Sequence, residues 1–155
     1  MDVLSTREFL EAREKKLGSA IIWKSYAVWY ASINGDKREY GVFLYTDGNT
    51  LVFEDFERTP TLMGIPVASI KKEKYEKYEV MVNISEIKDI YTVTRSSAES
   101  SVRNMIDASR EPSFVGKLFK KLVTKVSLFD GRVYFFEMMD ASGFKKKIME
   151  LKKGE

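Results

Sequence analysis

Segments rich in β-branched and aromatic residues recur along most of the chain, and Asn-Gly or Asp-Gly pairs separate several of them. Such pairs favour tight hairpin turns, because both residues tolerate a positive φ. The pattern predicts antiparallel strands, as a meander, within residues 19–95 and 123–139. The pairs lie at residues 34–35, 47–48 and 130–131.

Near the N-terminus, Ser5 and Glu8 have the spacing of a capping box, and Gly18 follows a run of charged and apolar residues. In a capping box the serine is the N-cap, and the acid at the third helical position accepts a hydrogen bond from the backbone amide of the N-cap. Glycine is the usual residue just after a helix. The sequence predicts a helix over residues 5–17.

The C-terminal residues show the period of an amphipathic helix. Apolar residues recur at spacings of three, four and three, which places them on one helical stripe. Asp140 is suited to the N-cap position. We therefore predict a helix over residues 140–153 that caps the strands. The stripe consists of Ala141, Phe144, Ile148 and Leu151.

A two-residue turn at residues 130–131 predicts the register of the last hairpin. It places Leu128 opposite Val133 and Val126 opposite Phe135. Because side chains alternate between the faces of a strand, these four residues are expected to share the core face.

Residues 96–122 interrupt the strands with helical patterns. One predicted helical face consists of Ala98, Val102, Met105 and Ile106, and Pro112 ends that pattern. We predict two short helices joined at Pro112. A connection of this length in a compact domain is commonly functional, so specificity is expected here.

The composition fits one domain over residues 1–155, with 44% hydrophobic and 32% charged residues. The chain contains no His and no Cys, which rules out catalytic triads and the usual zinc sites. There is no Gly-rich phosphate loop either. We expect a protein that is not an enzyme and has no cofactor or metal. The sequence has no secretory signal pattern and no transmembrane segment, so a cytoplasmic location is expected, with peripheral association at the membrane.

Basic charge is concentrated near the C-terminus. Residues 1–113 carry 16 Lys and Arg against 18 Asp and Glu, whereas the last 42 residues carry 10 against 5. The segment FVGKLFKKLVTKV, residues 114–126, contains only lysines among its charged residues. Read as a helix through Leu122, it alternates apolar residues with lysines, which is typical of helices on anionic membranes. The predicted membrane- or partner-binding residues are Phe114, Leu118, Phe119, Lys117, Lys120, Lys121 and Lys125.

An alternative for the same segment is that its apolar face docks on the chain's own barrel. The sequence favours this alternative, because a helix of two or three turns attached to a folded domain usually packs within that domain.

Two stretches resemble the pleckstrin-homology-like superfold, in its bacterial or GRAM-like form: NISEIKDIYTV and DGRVYFFEMMDASGFKKKI. The resemblance implies a mainly β fold: an antiparallel barrel or roll of seven to eight strands, capped by the C-terminal helix. The N-terminal helix and the helical insertion before the last hairpin are additions. It further implies a non-catalytic module that binds a protein partner or lipid headgroups, with an anion site at Lys24, Lys37 and Arg38.

Two other functions are open from the sequence. One is a small-molecule-binding β-barrel, and the other is a weak hydrolase that uses carboxylates alone, such as Glu54, Asp55 and Glu57. A solvated strand end is the favoured interpretation of these acids. Nucleic acid binding is disfavoured, because acids outnumber bases around the aromatic residues of the first strands.

Overall fold

Seven antiparallel strands form one sheet, in the order β7-β4-β3-β1-β10-β9-β8, and the short β2 also pairs with β1. The computed structural model describes residues 3–33, 37–38, 41–55, 61–62, 65–66 and 78–154. The elements are α1 (Val3–Leu17), β1 (Trp23–Ser32), β2 (Lys37–Arg38), β3 (Val42–Thr46), β4 (Thr50–Asp55), β5 (Thr61–Leu62), β6 (Ile65–Pro66), β7 (Glu79–Asn83), β8 (Ile87–Thr94), α2 (Arg95–Asn104), α3 (Phe114–Phe119), β9 (Leu122–Leu128), β10 (Val133–Met138) and α4 (Ala141–Lys153).

The prediction of a mainly β fold with these added helices is confirmed, but the sheet is not closed into a barrel. The two edge strands, β7 and β8, do not pair with each other along their described residues. They are joined by a 3₁₀ helix, Ile84–Glu86. This corner separates the two strands, whereas a tight hairpin turn would have kept them hydrogen-bonded.

One face of the sheet packs against α4. Phe144 and Ile148 of the helix are fully buried, in a cluster that includes Phe53 and Phe136 of the sheet. The ring of Phe144 lies 5.3 Å from that of Trp23. The predicted stripe and the Asp140 N-cap are confirmed, since the Asp140 carboxylate accepts a hydrogen bond from the Gly143 amide at 3.0 Å.

The opposite face packs against two helices. Phe9 and Leu10 of α1 cover a patch around Tyr45, and Ala98 and Val102 of α2 cover a second patch. The central strands are therefore buried on both faces, which explains their nearly continuous apolar sequences.

A buried ion pair joins α1 to the sheet. The Arg13 guanidinium donates to the Glu54 carboxylate at 2.8 Å, and the Tyr45 hydroxyl donates to the same carboxylate at 3.2 Å. Burial, followed by the negative charge of Glu54, raises the pKa of the Tyr45 hydroxyl. Glu54 and Asp55 are both buried, so the interpretation of these acids as a solvated strand end is wrong. Glu57 lies outside the described residues.

The register predicted for the last hairpin is wrong by one residue. Val133 lies opposite Ser127, and Tyr134 lies opposite Val126. The loop spans three residues, 129–131, and is closed by a hydrogen bond from the Leu128 amide to the Arg132 carbonyl at 2.9 Å. A shift of one residue exchanges the two faces of a strand.

As a result, the four residues expected on one face are divided between two. Val126 and Leu128 belong to the cluster under α4, whereas Val133 and Phe135 belong to the cluster under α2.

Helix boundaries differ from prediction in two further places. Helix α1 begins at Val3, because no helix breaker precedes Ser5, so Ser5 lies within the helix and not at its N-cap. Leu122, assigned from the sequence to the helical insertion, is the first residue of β9. The Asn-Gly turn at residues 34–35 lies outside the described residues.

Candidate binding surface

Helix α2 begins the insertion, residues 95–121, which connects β8 to β9. The Thr94 side chain caps the helix by accepting from the Ser97 amide at 3.3 Å. Arg95 forms an ion pair with Glu137 of β10 at 3.1 Å, and its guanidinium lies 5.6 Å from the Trp29 ring centre. These contacts hold the first half of the insertion on the sheet.

The predicted apolar face of α2 is interrupted. Ala98 and Val102 are buried, but Met105 and Ile106 are exposed. Met105 ends the helix in the left-handed conformation, with φ at 56°. The reversal of the backbone at this residue turns the next side chains away from the sheet, so the expectation for Met105 and Ile106 is wrong.

After Met105 the chain returns alongside α2 and is held there by serine hydroxyls. The Ala108 amide donates to Ser101 Oγ at 2.9 Å, and the Arg110 amide donates to Ser97 Oγ at 3.0 Å. The Thr94 amide donates to the Arg110 carbonyl at 3.0 Å. The return segment therefore has a defined position beside the helix.

Helix α3 follows this segment and presents apolar side chains to solvent. Ser113 caps the helix by accepting from the Gly116 amide at 3.0 Å. Only Gly116 is buried in α3. The exposed fractions are 84% for Phe114, 62% for Val115, 69% for Leu118 and 83% for Phe119. Docking of this face on the chain's own sheet, which the sequence favoured, does not occur.

The lysines of the segment fall into two groups. Lys117, Lys120 and Lys121 are exposed, and none of them forms an ion pair with another described residue. Lys125 is different, because it belongs to β9, retains 14% side-chain exposure and pairs with Asp107 at 3.2 Å. Burial acts to raise the pKa of the Asp107 carboxyl. Hydrogen bonds from Ser109, together with the Lys125 ammonium, outweigh burial and hold this pKa below its usual value. Lys125 therefore lies apart from the exposed lysines at residues 117–121, and its part in binding stays a prediction.

The anion site implied by the family resemblance stays a prediction, and the backbone positions of its residues lie far apart. Arg38 lies opposite Tyr30 of β1, and Lys24 is six residues from Tyr30 along the same strand. At about 3.3 Å per residue, this separation is about 20 Å. Lys24 is exposed, and the side chains of Lys37 and Arg38 lie outside the described residues.

A cleft of about 490 Å³ is lined by residues of α2, of the return segment and of both ends of α3. Arg110 and Lys120 line it, together with Glu111 and several hydroxyl groups. These residues were missed from the sequence, although the repeated serines of SSAESS are spaced to share one helical face. The lining serines are Ser96, Ser97, Ser100 and Ser113.

None of the helices in the described part of the chain has the length and apolar character needed to cross a bilayer. Within the described ranges, no three metal-ligating His, Cys, Asp or Glu residues are grouped closely enough to hold a metal ion.

No protein-family model matches the sequence, and no curated protein matches it. The structure is similar to the C-terminal domain of an unknown protein from Leishmania infantum, with a TM-score of 0.52 and 9% sequence identity. The similarity covers 96% of this chain and 97% of that domain. At this identity the match concerns the fold alone.

Proposed function

We propose that the protein is a non-catalytic binding module that attaches to an anionic membrane surface through α3. The observation that carries this proposal is the exposure of Phe114, Val115, Leu118 and Phe119 beside three lysines that form no ion pair with the described residues. Exposed apolar groups favour transfer into the acyl region, and each lysine near an anionic surface contributes about 1 kcal/mol.

The short length of α3 suits insertion of its tip into one leaflet. Six residues at about 1.5 Å each give a helix about 9 Å long, close to the depth to which interfacial helices bury their apolar groups. The hydrogen bonds that hold the return segment to α2 fix the position of α3 before it meets a membrane. This preorganisation reduces the entropy lost on binding.

We also propose that the fold is pleckstrin-homology-like. The strand order supports it, because β1, β3, β4 and β7 form one meander, β8, β9 and β10 form a second, and α4 closes the chain. The open edge between β7 and β8 makes the sheet a roll in this proposal.

The small-molecule and hydrolase alternatives have less support. The face under α4 is filled by side chains, among them Tyr30, Phe53 and Phe136, which are fully buried. Of the proposed carboxylates, Glu54 is committed to Arg13. The filled face under α4 leaves no space for a small molecule among these side chains, and Glu54 is not free to act as an acid or a base.

Charge reversal of the α3 lysines should abolish membrane attachment. Replacing Lys117, Lys120 and Lys121 by glutamate removes about 3 kcal/mol of attraction and adds repulsion. We expect the variant to lose at least about 100-fold in affinity for vesicles that contain phosphatidylserine, measured by co-sedimentation. The melting temperature should stay nearly unchanged, because exposed charges contribute little to stability.

The matched control reverses three exposed lysines of α4: Lys145, Lys146 and Lys153. It carries the same net charge, so equal losses in both variants would point to a non-specific charge effect and contradict the proposal. The proposal would also be contradicted if the wild-type protein did not bind anionic vesicles and instead bound a second protein through α3.

A single apolar substitution separates binding from folding. Because the Phe119 side chain is 83% exposed, Phe119→Ala should change the free energy of unfolding by less than about 0.5 kcal/mol. Losing the insertion of one phenyl ring should weaken vesicle binding about 10- to 100-fold, since burying such a side chain is worth about 1.5–3 kcal/mol. Denaturant unfolding and co-sedimentation measure the two quantities. A destabilisation of several kcal/mol would mean that Phe119 packs within the domain.

A further inference from the structure

We infer that the serine-lined cleft between α2 and α3 binds a phosphate monoester. Its two cations, Arg110 and Lys120, line the same open volume of about 490 Å³. Neither forms an ion pair with the residues that the structure describes. Cations that line an open cleft and form no ion pair with a described residue are available to an anionic ligand, and arginine is well suited to phosphate oxygens.

The hydroxyl groups of the cleft supply neutral donors around the same volume. Ser96 and Ser100 line it from α2, and Ser113 lines it from the N-cap of α3. Ser100 accepts a hydrogen bond from Asn104 at 3.4 Å, so its own proton stays available. The side chains of Lys120 and Ser113 both lie next to Gly116. A Cβ placed on Gly116 would lie 3.6 Å from Lys120 Cδ and 3.1 Å from Ser113 Oγ.

The position of the cleft connects it to α3. Ser113 and Lys120 flank the six residues of α3 and also line the cleft. A membrane reached by the apolar side chains of α3 would therefore present its headgroups near the cleft. The inference that the phosphate belongs to a lipid rests on the proposed membrane function, whereas the inference of a phosphate site does not.

Two vesicle compositions and one soluble probe distinguish these sources. Vesicles with phosphatidic acid are compared with vesicles of phosphatidylserine at matched surface potential. We expect at least tenfold tighter binding to phosphatidic acid. Glycerol 3-phosphate should shift the amide resonances of the cleft residues in NMR spectra, and glycerol alone should not.

Arg110→Ala is the central variant, because it keeps the backbone hydrogen bonds that Arg110 makes to Ser97 and Thr94. It should remove the preference for phosphatidic acid and leave binding to phosphatidylserine within about twofold. The control is Arg103→Ala, an exposed arginine of α2 that does not line the cleft; it should retain the preference.

Glu111 provides a test of opposite sign. Among the described residues it is the one acid that lines the cleft, and its charge opposes an anionic ligand. Glu111→Gln should strengthen the response to glycerol 3-phosphate several-fold. An unchanged or weaker response would overturn the assignment of the cleft as an anion site.

The remaining outcomes are equally decisive. A response to glycerol 3-phosphate without any vesicle binding supports the phosphate site and refutes the membrane function. Vesicle binding that depends on α3, with no phosphatidic acid preference and no response to glycerol 3-phosphate, supports the membrane function and overturns this inference.

Discussion

Replacing Phe144 by alanine should lower the free energy of unfolding by about 3–5 kcal/mol. The side chain is fully buried between α4 and the sheet, and its ring contacts Trp23. Alanine would leave a cavity that the surrounding strands can fill only in part. For a domain of this size the loss corresponds to about 6–20 °C in melting temperature, which calorimetry would detect.

The control for this variant is Lys146→Ala, which truncates an exposed side chain on the same helix. It should leave the melting temperature within about 2 °C, because surface substitutions are usually small in effect. If Phe144→Ala behaved like this control, α4 would not be closing the core. Whole domains are stable by only about 5–15 kcal/mol. Deleting the residues of α4 that cover the sheet should therefore expose the sheet and cause aggregation.

Sequence patterns identified α4 and the strands because their signals are local. The spacing of Phe144 and Ile148 defines a helical stripe without any knowledge of what it packs against. Alternating and β-branched segments likewise define strands. The closure of the sheet was not predictable in this way, since it depends on whether β7 and β8 meet, and that is a contact between chain segments at opposite edges.

The hairpin register shows the sensitivity of such predictions to one residue. An Asp-Gly pair suggests a two-residue turn, but the loop holds three residues, 129–131. In that loop the Arg132 amide donates to the Asp130 carboxylate at 3.0 Å, and Gly131 adopts φ of 94°. The side-chain hydrogen bond stabilises the longer loop, and the turn pair by itself does not reveal the loop length.

The exposure of residues 114–121 could not be predicted from the sequence. The composition of residues 114–126 drew attention to Phe114, Phe119 and the lysines, but their periodicity could not decide whether they pack inside the domain. Lys125 lies apart from α3 because strand β9 begins at Leu122, and its partner Asp107 is 18 residues away in sequence. A helical pattern that continues into a strand is a general source of such errors.

The cleft could not have been located from sequence, because nonlocal hydrogen bonds create it. Ser97 and Ser101 bind amides of the return segment and so leave Ser96 and Ser100 beside Arg110. A serine repeat usually indicates only a polar helix face. The role of these serines becomes clear only from the structure, where they hold the return segment beside α2. The return segment leads directly into α3, so these hydrogen bonds also help to position α3.

Arg13→Met should destabilise the protein by about 3–5 kcal/mol, measured by denaturant unfolding. The guanidinium contacts the Glu54 carboxylate, which is 2% exposed, and also lies 3.4 Å from the Phe9 ring centre. Removing one member of a buried pair leaves the other charge in a poorly solvated site.

A double variant separates two contributions to the loss of stability: the unpaired Glu54 charge and the lost packing of the Arg13 side chain. Glu54→Gln in the Arg13→Met background removes the charge and keeps an oxygen that can accept from the Tyr45 hydroxyl. We expect it to recover at least half of the lost stability, because neutral partners avoid most of the desolvation penalty. Arg7→Ala, which breaks an exposed pair with Glu11 on the same helix, should cost less than about 1 kcal/mol. If Arg13→Met were no more harmful than Arg7→Ala, the other contacts of α1, among them those of Phe9 and Leu10, would be enough to hold it to the sheet.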